Sequence, residues 1–163
     1  MSLDEELETI RLYLALEKMR FSDKFDYDIT LSHEAEEEEW MLPSMVLQPF
    51  LENAIIHGLM PLSSKGKLSI QASIKNNALQ IIITDNGIGL AKSKLYKTDK
   101  KHISRGMELI KERLEILSQL GKEPIEFIIS PLQPNAENVG TKITLSFPYS
   151  VYDAFQKRPT ITH

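Results

Sequence analysis

Cysteine is missing from all 163 residues, which excludes disulfides, thiolate nucleophiles and zinc held through sulfur, and is compatible with a reducing cytosol. No apolar run approaches the ~20 residues needed to span a bilayer, and no charged-then-apolar secretory start opens the chain, which is therefore expected to be soluble as given. Charge of neither sign dominates: 19 basic against 23 acidic residues leave a net charge of −4. Nothing overall draws the chain to nucleic acid or anionic lipid, so any phosphate must be held locally. The Gly-x-x-x-x-Gly-Lys-Ser/Thr phosphate loop does not occur, and the histidines form no zinc-binding cluster.

What is present is 42% hydrophobic content in a length suited to one compact domain with a core. Leu3, Leu7, Ile10 and Leu14 recur at helical spacing within residues 3–20, with Asp4, Glu5, Glu6 and Glu8 in the first turns, where negative charge suits the helix dipole. This stripe either packs on the domain or pairs with another helix in a dimer. Phe25, Tyr27 and Ile29 alternate as a half-buried strand, and the acidic run Glu34 and Glu36 to Glu39 is expected in a solvated loop or turn. Pro43 fits the entrance of a helix in which Met45, Val46, Phe50, Ala54 and Ile55 face a core. Leu68, Ile70, Ala72 and Ile74 read as a strand, an Asn76-Asn77 turn as a hairpin, and Leu79, Ile81 and Ile83 as its second arm. Lysines dominate the interval from Leu90 to Arg105, which is expected to be a mobile loop. A helix carrying Met107, Ile110, Leu114 and Leu117 ends near Gly121, and strands follow at about 125–130 and 141–147.

Two segments carry chemistry. The strand of the hairpin runs into Asp85-Asn86-Gly87-Ile88-Gly89, which suits either an ordinary turn needing positive φ or a carboxylate delivered to a ligand from a rigid strand. Thirty residues upstream, Glu52-Asn53-Ala54-Ile55-Ile56-His57-Gly58 reads as helix, with Asn53 and His57 on one face. Asn is a poor helix-interior residue, so its place between a Glu and a His points to a ligand.

These segments resemble the N box and the G1 box of the Bergerat-type ATPase domain shared by sensor histidine kinases, DNA gyrase and mismatch-repair ATPases. Leu14 to Phe21, Leu42-Pro43 and Leu47-Gln48-Pro49-Phe50-Leu51-Glu52-Asn53 are similar to the LytS-type sensor histidine kinases, and the resemblance covers roughly residues 3–148. It implies an α+β fold, a two-layer α/β sandwich whose mixed, mainly antiparallel sheet is covered by helices on one face. Residues 1–21 would be a connector helix from an upstream dimerisation region, 22–148 the ATP-binding domain and 149–163 a flexible tail. The lysine-rich interval would be the ATP lid.

In that family Asp85 would accept a hydrogen bond from the adenine amino group, a charge-assisted bond worth ~1.5–3 kcal/mol. Gly87 and Gly89 would let the backbone approach the base. Asn53 would be the Mg²⁺ ligand, Glu52 the general base acting on the attacking histidine, and His57 a donor to phosphate. An ordinary exposed helix Glu and a satisfied structural His remain the alternatives for the last two. Ser104-Arg105-Gly106-Met107 is expected to open a helix whose free N–H groups face phosphate, Ser104 serving as N-cap or donor. The segment departs from the commoner form, with Ser104 for a Gly, Met107 for a Leu and Leu109 where an Asn is frequent. Gly140-Thr141 resembles the remaining glycine box, with Thr141 beside Asp85.

The implied activity is transfer of the γ-phosphoryl of Mg-ATP to a histidine upstream of this region. His33, His57, His102 and His163 do not match the family's Pro-His-Phe-Leu-Phe-Asn acceptor segment. Met1-Ser2-Leu3 running directly into an acidic helix suggests an expression start on a piece of a longer protein. The implied parent is a homodimeric membrane sensor with this domain in the cytoplasm, a response regulator as partner and no nucleic acid. The rival class is a nucleotide-responsive binding module, an anti-sigma-like regulator or pseudokinase, without phosphoryl transfer.

Overall fold

The computed structural model describes residues 1–90, 92, 100–121 and 123–149, with residues 100–107 and 120 described through their backbone alone. Helix α1 (Leu3–Arg20) leads into strand β1 (Phe25–Leu31), a short α2 (His33–Glu37) and α3 (Gln48–Asn53), which continues as a π-helical turn, Ala54–Leu59. Strands β2 (Gly66–Lys75) and β3 (Ala78–Asp85), helix α4 (Lys100–Leu120) and strands β4 (Glu126–Ser130) and β5 (Thr141–Pro148) complete the order.

The five strands form one sheet in the order β1-β2-β3-β5-β4. The β1/β2 pair is parallel and the other three are antiparallel, the mixed, mainly antiparallel α+β arrangement expected. Alternation sets its two faces. Leu68, Ile70, Ala72, Leu79, Ile81, Ile83, Ile143, Leu145 and Phe147 are buried in one core with residues of α1, α3, the π turn and α4. Lys67 and Gln71, out of phase with them, are exposed. Asn76 and Asn77 both take positive φ (51° and 58°), the left-handed pair that a tight hairpin turn needs and that asparagine tolerates.

Helix α1 starts at a capping box: the Glu5 N–H donates to Ser2 Oγ at 3.2 Å and the Ser2 N–H donates to Glu5 Oε2 at 2.8 Å. Its stripe Leu3, Leu7, Ile10 and Leu14 is buried in the domain core, so this face belongs to the fold.

Four local expectations differ from the structure. The acidic run forms the short helix α2, because the Ser32 hydroxyl accepts from the Ala35 N–H at 3.3 Å and Glu34 and Glu36 sit at the positive end of the dipole. The proline at the next helix start is Pro49, not Pro43; a turn with Met45 in the left-handed region (φ 56°) separates Pro43 from α3. The N-box segment is not one regular α-helix, since its hydrogen-bond ladder widens at Ala54 and the Met60 N–H reaches back five residues to the Ile55 carbonyl at 2.9 Å. Helix α4 begins at Lys100, so Ser104 through Met107 lie inside it and Ser104 is not its N-cap. The rest of the lid expectation, at residues 91 and 93–99, and that for the tail, at residues 150–163, lie outside the described residues.

Candidate functional site

The alternation of β3 decides where Asp85 points. It continues the buried series Leu79, Ile81, Ile83 and is only 4% exposed, so the pleat carries a carboxylate into the apolar layer at the end of the sheet. There its Oδ1 accepts from the Gly87 N–H at 2.9 Å, and Oδ2 has no hydrogen-bond partner among the described residues. Burial pushes the Asp85 carboxyl up to about 7, against the smaller opposing effect of the Gly87 N–H.

Three backbone segments close around this group. Gly58 of the π turn lies against it: a Cβ there would stand 2.8 Å from Asp85 Oδ1. The Gly58 carbonyl accepts from the Ile88 N–H at 3.0 Å, and the Gly87 carbonyl accepts from the Gly140 N–H at 3.0 Å. Gly87 faces the Gly58 peptide so closely that a Cβ would lie 2.3 Å from its carbonyl carbon and oxygen. Gly140 sits at φ 63° with its missing Cβ only 2.2 Å from the Asp85 carbonyl oxygen, a double demand for glycine. Asn86 fastens the turn to β2, its Oδ1 accepting from the Lys67 N–H at 2.7 Å. Register pairs Asp85 with Thr141 across β3 and β5, so the expected neighbour of the carboxylate stands beside it, 8% exposed. Gly89 takes φ 84° at the exit of the turn.

Asp85, Gly87, Gly89 and Thr141 are therefore brought together, and the segment bearing Glu52, Asn53 and His57 is packed onto them through Gly58. Glu52 and Asn53 make no hydrogen bond to the Asp85 turn among the described residues. Glu52 is exposed and its Oε1 accepts from Gln48 Nε2 at 3.3 Å; Asn53 and His57 are half-buried. The side chains of Ser104, Arg105 and Met107, and the surroundings of Gly106, lie outside the described residues. Gly58 and Gly140 were legible as motif glycines, but not as walls of the carboxylate's site. Glu6 was read only as a partner of the helix dipole, and its buried role was missed: it is 1% exposed, and the signal was its place beside Leu3, Leu7 and Ile10 on the buried stripe.

A pH dependence of stability follows. Unfolded, Asp85 titrates near its ordinary 3.8; folded, it holds its proton to about 7. The folded state thus binds more protons between these values, and the stability associated with Asp85 is full below about pH 4 and lost as pH rises through about 7. The loss is at most on the order of 4 kcal/mol. Thermal unfolding of wild type should therefore weaken relative to Asp85→Asn between about pH 4 and 7.5 and run parallel to it above. Identical pH profiles would contradict this origin of the shift.

No profile of a known protein family matches the chain. Sensor histidine kinase YpdA of Escherichia coli K12 is 38% identical over 90 residues, 54% of this chain and 15% of that protein. Sensor protein LytS of Oceanobacillus iheyensis is 30% identical over 155 residues, 90% of this chain and 25% of that protein. The chain thus spans a quarter or less of these relatives' length. Among solved structures, the catalytic domain of histidine kinase ThkA superposes with a TM-score of 0.61 at 14% identity, covering 91% of this chain and 92% of that one. By sequence and fold together, the chain is a homologue of LytS-type sensor histidine kinases, folded as a histidine kinase catalytic domain.

Proposed function

We propose that the chain is the ATP-binding catalytic part of a sensor histidine kinase and transfers the γ-phosphoryl of Mg-ATP to a histidine upstream of it. The observation that carries this is the buried Asp85 carboxylate, whose Oδ1 is taken by the Gly87 N–H while Oδ2 has no hydrogen-bond partner among the described residues, at a junction where Gly58, Gly87 and Gly140 bring three backbone segments together. A purine amino group is a donor of the required size and planarity, and a carboxylate that only accepts selects adenine over a base presenting an acceptor there.

The helical segment orders the remaining groups. Gly58 abuts Asp85, Asn53 lies about one turn away and Glu52 is next to it, so a nucleotide with its base at Asp85 would lay its phosphates toward Asn53. Asn53 offers one neutral oxygen, which fits Mg²⁺ because that ion keeps several waters and takes most of its other ligands from phosphate. No group of three His, Asp or Glu side chains that could hold a metal without phosphate is present among the described residues. The ion would neutralise charge on the transferred group; Asn53 would orient it, His57 would donate to a phosphate oxygen, and Glu52, exposed to an incoming imidazole, would accept its proton.

The parent would be a homodimeric membrane sensor whose response regulator receives the phosphoryl group, with this region in the cytoplasm. No helix among the described residues is long and apolar enough to cross a membrane. The test is incubation of the full-length protein with γ-labelled ATP: a kinase labels a histidine outside this chain, whereas a nucleotide-responsive regulator binds ATP and acquires no label.

A further inference from the structure

Helix α3 is six residues long and has no side-chain cap of its own, Leu47 being its N-cap residue. The turn that leads into it is held from 39 and 41 residues away. The Leu47 N–H donates to Glu6 Oε1 at 3.1 Å, and the Met45 N–H donates to Glu6 Oε2 at 3.0 Å. Both carboxylate oxygens are thus spent on one turn, and Glu6 is 1% exposed with no ion-pair partner among the described residues. A buried carboxylate without a cation is costly, and the two backbone N–H donors of this turn are what offset that cost.

The same turn is held from the other side of the domain, where Arg113 Nη2 of α4 donates to the Ser44 carbonyl at 2.7 Å. Met45 within it sits at φ 56°, a conformation unfavourable for a side chain of its length unless its surroundings impose it. Helix α1 also approaches the far end of α3, since burial and the charges of Glu17 and Glu52 push the Tyr13 phenol up.

We propose that Glu6 is a positioning residue for the phosphate end of the nucleotide site: by clamping the Met45 and Leu47 N–H groups it ties α3, and with it Asn53 and Glu52, to helix α1. The Asp85 end is fixed by the sheet and by backbone contacts of Gly58, Gly87 and Gly140, all of which lie outside α3. Release of the clamp therefore moves one end of the site and leaves the other. This inference rests on the nucleotide reading above.

The test is Glu6→Gln in this chain. The side chain keeps its size, but its amide presents a donor to one of the two backbone donors. Titrations with adenosine and with Mg-ADP separate the two ends of the site, and amide exchange at residues 48–53 reports the helix directly. The expected result is an adenosine affinity equal to wild type, a loss of Mg-ADP affinity of about tenfold or more, and faster exchange in α3 with β3 and β5 unchanged. Unchanged Mg-ADP affinity with only a lower melting temperature, or equal losses for both ligands, would overturn the proposal and make Glu6 merely structural. Should wild type bind neither adenosine nor Mg-ADP, or bind ADP no more tightly with Mg²⁺ than without, the nucleotide reading itself fails and this inference with it.

Discussion

Gly87→Ala is expected to abolish nucleotide binding and to lower the unfolding free energy by more than about 2 kcal/mol. The added Cβ would stand 2.3 Å from both the carbonyl carbon and oxygen of Gly58 and 2.6 Å from its Cα. All three are backbone atoms of the π turn, so no rotamer change relieves the overlap. Relief requires moving the N-box segment away from the Asp85 turn, which breaks the bond from the Ile88 N–H to the Gly58 carbonyl. Gly66→Ala is the softer comparison: its Cβ would meet Leu59 Cδ2 at 2.5 Å, Leu62 Cδ1 at 3.1 Å and Asn86 Oδ1 at 3.4 Å, side-chain ends whose shift costs core packing at the buried Leu59 but leaves the backbone in place. Urea unfolding and nucleotide titration of both variants check the contrast. A Gly87→Ala chain that binds as wild type does would mean the junction yields more easily than its backbone contacts imply.

Glu52→Gln in the full-length protein is expected to cut histidine labelling by about 10²–10⁴-fold, the range for loss of a general base, with nucleotide affinity little changed. The side chain is exposed, and its one hydrogen bond within the described residues, from Gln48 Nε2 at 3.3 Å, holds it on the helix surface. No ion pair among the described residues involves its charge, so the amide should preserve structure while losing the ability to take a proton. Single-turnover labelling at saturating Mg-ATP reads the chemical step alone. Wild-type rates in Glu52→Gln would return this residue to the alternative of an ordinary surface glutamate.

Much of the sheet was legible because short-range rules govern it, and the Asp85 end of the site through the family resemblance. Alternation marks β3 and β5 and Asn76-Asn77 tolerates the left-handed turn, whereas Thr141 beside Asp85 was implied by the family resemblance and is met in the β3/β5 register. What escaped depends on contacts between distant segments. The widening of the ladder at Ala54 has no composition signal; it accompanies the Gly58 carbonyl bonding to Ile88 across the site. Glu6 read only as a dipole partner because its acceptor role is met by backbone 39 and 41 residues away. Pro43 and Pro49 both suit a helix start, and the choice lies in the Met45 turn that Glu6 holds. The start of α4 at Lys100 was hidden because a lysine-rich stretch shows no apolar periodicity whether helical or not.

The central claim, that Asp85 reads an adenine base, is tested most directly by calorimetric titration of a non-hydrolysable Mg-ATP analogue into wild type and Asp85→Asn. The pH should be about 8, above the value near 7 to which burial moves the carboxyl. With its oxygen kept on the Gly87 N–H, the asparagine turns its amide donor toward the purine amino group, setting donor against donor. The account predicts wild-type binding of roughly −4 to −8 kcal/mol and a loss of ~1.5–3 kcal/mol in the variant, with the guanine analogue already weak in wild type. Equal affinity in wild type and Asp85→Asn, or no binding by the folded wild-type chain, would contradict it.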